Sequence, residues 1–346
     1  MAAPTYKLFC LGNPLLDMQV TNGEGLLAKY GLKANDAILA EEKHAPIYDE
    51  LVKEHKVTYV AGGASQNAAR GAAYILPPKS VVYTGCVGDD ELAEQLKAAN
   101  AREGLDEVYQ VKKGDKTGAC AVVITGHHRS LVTTLRVAEK FEQSHLESPK
   151  VLPLIEAAQV FYVEGYFLTH GTTIVEWLAK KSSAANKTFV LNLSAPFIAQ
   201  FFTASVKQVL PYTDILIANE SEAEAWATAT NFPGSKTDLT GIAKAIVSYE
   251  KANPTRERIV IFTQGAKETH LVAGPKAEAK IFPVTALKDE EIVDTNGAGD
   301  AFAGGFLGAY VAGKSVEESV LVGHKLGGMC VGQVGPQYKW PKVQVL

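Results

Sequence analysis

The chain has 346 residues, of which 47% are hydrophobic and 21% charged, the balance of a globular protein with a large buried core. Its net charge is −4 and no block of Lys or Arg stands out, which argues against nucleic acid as a partner. No apolar run approaches the length that crosses a bilayer, so no membrane partner is expected.

A chain this long predicts one large domain with a smaller attachment. Residues 1–7 lead directly into a predicted strand over Leu8–Leu11. They carry no basic region, long apolar core or cleavage site, so a cytoplasmic protein is expected. Cys10, Cys86, Cys120 and Cys330 lie among apolar neighbours without metal-ligand spacing and read as reduced thiols. Further strands are predicted at 57–61 and 81–86, then a helix over 89–102. Residues 118–135 read as a hairpin turning at Gly126-His127-His128-Arg129. Four apolar strands follow at 160–164, 188–193, 214–218 and 258–262. Helical patterns over 172–184, 198–210, 220–230 and 239–253 separate them. Such alternation is the mark of a parallel sheet with helices on both faces. The strand at 57–61 and the hairpin break the alternation. They predict a small β-rich lid made of residues 18–61 and 118–135. The large domain then comprises 1–17, 62–117 and 136–346.

Near the C-terminus, Asp294-Thr295-Asn296-Gly297-Ala298-Gly299-Asp300 reads as a tight turn opening a long, small-residue helix. The amides of a helix N-terminus, with the dipole behind them, favour an anion. An anion cradle with a carboxylate beside it is what phosphoryl transfer to an alcohol requires. The amides from Gly297 through Ala298 and Gly299 to Asp300 would hold the developing charge, and Asp300 would take the alcohol's proton. The plainer alternative is a glycine-rich helix start with Asp300 as a first-turn capping charge. A second glycine motif, Gly308-Ala309-Tyr310-Val311-Ala312-Gly313-Lys314-Ser315, matches the P-loop pattern letter for letter. Its context is wrong, because Gly308 falls inside a helical stretch and a P-loop follows a strand. Gly313 reads instead as a helix C-terminal glycine, and Ser315 with Glu318 as a capping box.

The Asp294–Asp300 motif resembles that of the ribokinase-like carbohydrate and nucleoside kinases. Ala61-Gly62-Gly63-Ala64-Ser65-Gln66-Asn67-Ala68-Ala69-Arg70, followed by Thr84-Gly85-Cys86-Val87-Gly88-Asp89-Asp90, is similar to the N-terminal pattern of the same superfamily. Asn296 and the block Gly12-Asn13-Pro14-Leu15-Leu16-Asp17 look like its adenosine kinase branch. The matching segments run from residue 12 to beyond residue 320.

The resemblance implies an α/β, ribokinase-like fold: a large, doubly wound, mostly parallel sheet domain with the smaller β-rich lid. It implies transfer of the γ-phosphate of ATP to the 5′-hydroxyl of adenosine, giving AMP and ADP in purine salvage. Asp300 would be the base, kept ionised by the helix dipole. Asp17 would accept from both ribose hydroxyls, its alternative being an ordinary turn Asp. Gly62 and Gly63 would let the sugar approach the backbone. Asn67 can both donate to and accept from a hydroxyl, although alone it reads as a helix-start Asn. Asn13 and Asn296 join the substrate side by the same resemblance. Leu16, Ile38, Cys120, Leu131 and Phe167 match positions around the base, and each alone reads as a core residue. Ala64 stands where relatives often have Ser, so no side-chain contact is drawn from it.

For the nucleotide, the resemblance places Thr263 and Gly265 along ATP together with Gly297 and Gly299. His324 would lie near its adenine, and Arg129 would come over the transferring phosphate when the lid closes. Asn219 and Glu222 would organise Mg²⁺ through water; an acidic helix N-cap is the alternative. A K⁺ requirement is left open, and a monomer is expected. Residues 338–342 depart from the Pro-Glu-Lys-Pro ending of many relatives, and no function is drawn from them. Two rivals remain: a sugar kinase of the same superfamily, and a non-catalytic nucleoside-binding protein on the same fold.

Overall fold

Strands that are apolar on both faces must be covered on both faces, and here they form the middle of a nine-stranded sheet. The computed structural model describes residues 6–34, 37–126 and 128–346. Seven strands run parallel, in the order Ile259–Thr263, Ile215–Asn219, Thr188–Asn192, Val160–Glu164, Leu8–Leu11, Val81–Thr84 and Asp106–Glu107. Glu268–Ala273 and Lys280–Pro283 add an antiparallel edge beside Ile259–Thr263. Alternate residues of each strand feed opposite cores, as the pleat requires. Phe9, Leu11, Phe161, Val163, Phe189 and Leu191 pack with Leu168, Val175 and Leu178 of helix Leu168–Ala184. Leu8, Cys10, Tyr162 and Val190 pack on the other face, with Ala68 and Ala72 of helix Ala64–Ile75 and Phe302 and Phe306 of helix Ala298–Val311. The sheet is doubly wound, as expected.

Several expected elements are trimmed by tertiary contacts. The strand at 81–86 divides at Gly85, where a Cβ would lie 2.4 Å from the Gly12 carbonyl oxygen. Cys86–Gly88 then leaves the large sheet and pairs with Gln110–Lys112. The helix at 239–253 stops at Val247. Beyond it the buried Arg258 guanidinium donates to the carbonyls of Ile246, Tyr249 and Glu250, satisfying groups that a helix end leaves open. The helix at 198–210 breaks at Phe202 into Pro196–Phe201 and Thr203–Val209. Gly308 lies within helix Ala298–Val311, and Ser315 and Glu318 cap the next helix reciprocally, which disposes of the P-loop alternative.

The lid is a five-stranded sheet in the order Ala37–Leu39, His128–Thr134, Gly118–Thr125, Leu15–Thr21 and Thr58–Gly62. Leu15–Thr21 is a strand the sequence reading lacked, and it crosses the expected boundary at residue 17. One face of the lid is covered by helices Glu24–Tyr30 and Ile47–Glu54, which close over Met18, Val20, Ala121, Val123 and Val132. The other face holds Leu15, Asp17, Cys120, Leu131 and Thr133 and turns toward the large domain. Among the described residues no helix is long and apolar enough to cross a membrane.

Helices Ala64–Ile75 and Ala298–Val311 cross where Gly71 meets Gly304. A Cβ on Gly304 would lie 2.6 Å from the Ala68 carbonyl oxygen and 2.9 Å from the Gly71 Cα. The residues one turn earlier on each helix are Asn67 and Asp300, and the close crossing brings them into contact. Gly304→Ala should therefore lower stability by about 1–3 kcal/mol, the usual cost of overpacking. Thermal or urea unfolding measures it, and an unchanged midpoint would mean that the crossing can relax.

Candidate active site

Helix Ala298–Val311 begins after Gly297, whose φ of 76° is left-handed. A Cβ there would also lie 2.6 Å from the Pro336 Cβ, so both conformation and space require glycine. Asp300 is in the first turn. Its Oδ2 accepts from Asn67 Nδ2 at 2.9 Å, and Asn67 Oδ1 in turn accepts from Arg70 at 3.1 Å. Gly299 faces open space, with no atom within 4 Å of a Cβ placed there. The Ala298 amide is already taken by the Thr295 carbonyl at 3.3 Å, and Ala298 does not line the cavity, so the cradle rests on its two glycines.

A cavity of about 250 Å³ opens between this helix start and the lid, a volume suited to one small ligand. The large domain lines it with Asn13, Gly63, Asn67, Asn296, Gly297, Gly299 and Asp300, and the lid with Asp17, Ile38, Cys120 and Leu131. Asp17 sits beside Cys120 in register, and Cys120 beside Thr133. The cavity therefore has a mostly apolar roof with one carboxyl in it. Ile38 borders it while packing partly into the lid core.

Burial dominates the electrostatics. Asp300 lines the cavity, and burial raises its carboxyl to about 7, although Asn67 and Arg70 pull it down. Full ionisation by the helix dipole, as the sequence reading had it, therefore gives way to desolvation. Asp17 is likewise raised to about 7 by burial. Glu164, which the sequence reading missed, lines the cavity and is also raised to about 7 by burial. Its Oε1 accepts from the Asn13 amide at 2.8 Å and its Oε2 from the Ser65 amide at 2.6 Å. It pins the loop after the first strand to the start of helix Ala64–Ile75. The one signal for it was a carboxylate at the C-terminal end of an apolar parallel strand, the edge where ligands of such sheets bind. His170 Nε2 lies 3.0 Å from Asn13 Oδ1, and burial pulls its pKa down to about 4, so the ring is neutral.

Other expected residues lie elsewhere. Leu16 points into the large-domain core, and Leu15 lines the cavity instead, because alternate residues of a strand face opposite ways. Phe167 is wholly buried against Phe141, while its neighbour Tyr166 lines the cavity with Phe197. Gly62 does not line the cavity, and a Cβ there would lie 2.2 Å from Asp17 Oδ1. Arg129, expected over the transferring phosphate, is buried outside the cavity lining, and its Nε donates to Asp294 Oδ1 at 2.5 Å. Asn219 and Thr263 are neighbours in register at the C-terminal edge of the sheet, outside the cavity. His324 also lies outside it, bonded to Thr269 Oγ1 at 2.7 Å, and Gly265 is an exposed turn residue with φ 55°.

The profile described as pfkB family carbohydrate kinase matches residues 25–343. The chain belongs to this family. The adenosine kinase of Schizophyllum commune is 67% identical over 343 residues, covering 99% of this chain and 99% of its own. The crystal structure of Anopheles gambiae adenosine kinase in complex with a di(adenosine-5) tetraphosphate superimposes with a TM-score of 0.90 at 40% identity, covering 94% of this chain and 95% of that one. Schistosoma mansoni adenosine kinase in complex with adenosine and AMP gives 0.88 at 34% identity, covering 96% and 97%. The ribokinase-like fold expected from the sequence is thus that of the family.

A metal for this kinase fold finds only a partial donor set. Asn219 and Glu222 form a reciprocal cap: Glu222 accepts from the Asn219 backbone at 3.0 Å and side chain at 2.8 Å, and returns its amide to Asn219 Oδ1 at 2.9 Å. Burial raises Glu222 to about 7. No cluster of three or more His, Cys, Asp or Glu able to hold an ion occurs among the described residues. Such a set fits a hydrated Mg²⁺ carried by nucleotide phosphates and not a protein cage.

Asp294 fastens the lid to this domain. Besides Arg129 it accepts from the amides of Asn296 at 3.0 Å and Gly335 at 2.6 Å. Asp294→Ala removes the acceptor of all three and should cost about 3 kcal/mol, the scale of a broken buried ion pair. Hydrogen exchange should accelerate in the hairpin formed by Gly118–Thr125 and His128–Thr134. Unchanged exchange there would show that the pair does not hold the lid.

Proposed function

We propose that this protein is an adenosine kinase, transferring the γ-phosphate of ATP to the 5′-hydroxyl of adenosine. The observation that carries the reading is one cavity with a carboxyl at a glycine-rich helix start on one side and a carboxyl in an apolar lid on the other. The adenosine kinases it resembles across almost its whole length support the choice of substrate. Asp17 takes the ribose diol, and Cys120, Leu131 and Ile38 cover the base. Asp300 accepts the 5′-hydroxyl proton as that oxygen attacks. The amides at Gly297 and Gly299 hold the charge that develops on the phosphoryl group. Asn219 and Glu222 would hold the waters of Mg²⁺, which neutralises nucleotide charge when bound. Arg129 exchanges Asp294 for phosphate as the lid closes, and closure excludes water. The protein acts as a cytoplasmic monomer in purine salvage.

Labelled phosphate transfer from ATP tests the reading, with adenosine compared against ribose and fructose; preference for either sugar would replace it with a sugar kinase. Asp300→Asn should keep adenosine binding and lose about 10²-fold or more in turnover. The base must be ionised to act, and Asp300 sits at about 7. In the wild-type protein kcat/KM should therefore fall as pH drops below about 7, toward tenfold per unit. Asp17 titrates in the same range, so the limb belongs to the pair. A profile flat from pH 8 to pH 5.5 would exclude a carboxyl of this kind as the base.

A further inference from the structure

Arg70 is 1% exposed and lies one turn after Asn67 on helix Ala64–Ile75. Its Nε and one terminal nitrogen bond Glu103 at 2.7 Å and 2.9 Å. The same guanidinium reaches the carbonyls of Ala61 at 2.7 Å and Pro336 at 3.0 Å. It also donates to Asn67 Oδ1 at 3.1 Å. An arginine has donors and no acceptor, so the Asn67 oxygen must face Arg70. The Asn67 amide nitrogen then has one direction left, toward Asp300 Oδ2. This removes the usual ambiguity of a side-chain amide.

We propose that Arg70 is a positioning residue for phosphoryl transfer: anchored by Glu103, it locks the Asn67 carboxamide so that its N–H engages one oxygen of Asp300 and leaves the other for the substrate hydroxyl. The inference rests on the reading of Asp300 as the base.

The electrostatics agree. The hydrogen bond from Asn67 and the charge of Arg70 both favour the ionised carboxylate against burial. Other groups face Asp300 from the elements around it. Asp17 on the lid strand, Glu164 at the end of its strand and Glu222 on helix Glu220–Ala229 are carboxyls that it repels and that repel it. Tyr162, Tyr166, Tyr338 and Cys330 are raised by burial and stay neutral. Arg70 is the cation that offsets this set at Asp300, and it does so through a hydrogen-bonded intermediary. Without the lock, Asn67 can turn its oxygen toward the carboxylate, which disfavours ionisation twice over.

The test reads Asp300 itself. Its titration is followed by carboxyl ¹³C NMR in the ligand-free protein and assigned by its loss in Asp300→Asn. Asn67→Leu leaves the Arg70 anchors to Glu103, Ala61 and Pro336 in place and should raise the midpoint by about one pH unit. Arg70→Met with Glu103→Leu exchanges the buried pair for apolar groups, a swap that is often tolerated, and should raise it similarly. Adding Asn67→Leu to that double variant should add little, because both changes remove one linkage. In activity, the acid limb of kcat/KM should move up with the NMR midpoint, and turnover at pH 7 should fall about fivefold while the adenosine KM changes less. Arg70→Lys, still charged and donor-only, should keep the wild-type midpoint and covers the case in which the double variant does not fold. The proposal is overturned by an unmoved midpoint in Asn67→Leu, by an unmoved midpoint in a folded Arg70→Met/Glu103→Leu protein, or by a shift in Arg70→Lys as large as that in Asn67→Leu. Failure of the wild-type protein to phosphorylate adenosine would sink the functional reading separately, since the NMR titration needs no substrate.

Discussion

The site depends on how closely two helices can approach. Gly71 and Gly304 meet with almost no side chain between them, and each backbone presses on the other. A Cβ at either position would push helix Ala298–Val311 away from helix Ala64–Ile75. That second helix carries Asn67 and Arg70, and the first carries Asp300. The 2.9 Å bond between Asn67 and Asp300 is a product of the crossing. Small residues that look featureless in a sequence thus set the position of the one carboxyl best placed for chemistry.

A second constraint is that the lid sheet has only one covered face. Helices Glu24–Tyr30 and Ile47–Glu54 bury one set of alternating side chains. The other set can leave water only against the large domain, and the cavity forms between them. Desolvation there is the common cause of the raised Asp17, Glu164 and Asp300 carboxyls. A carboxyl raised toward 7 is a better proton acceptor than one near 4, at the cost of being partly protonated before substrate arrives.

The lid is also tied down away from the cavity. Arg129 and Asp294 join the hairpin to the turn that precedes the anion cradle. Asp294 also holds the amides of Asn296 and Gly335. The same carboxylate therefore shapes the glycine turn and anchors the lid. Lid position and cradle geometry are coupled through one residue.

Much of this was legible in the sequence. Strands such as Val160–Glu164 are apolar throughout, and a run with no polar face fits the inside of a parallel sheet. The Asp294–Asp300 turn was readable because glycines and an acidic residue at a helix start have few other uses. The apolar lining was harder, because strand faces depend on register: one residue separates Leu15 in the cavity from Leu16 in the core, and Tyr166 from Phe167. Local sequence determined the elements, the helix start and the chemical types gathered near it. Tertiary structure decided which side chains face the cavity, that Glu164 joins them, that Arg129 is held by Asp294, and that Arg70 stands behind Asn67. The Glu164, Arg129 and Pro336 contacts join residues 99 or more positions apart, and the Arg70–Asn67 contact, though one helical turn long, is fixed by Glu103 and Pro336 from other parts of the chain. Neither propensity nor spacing along the chain carries that information.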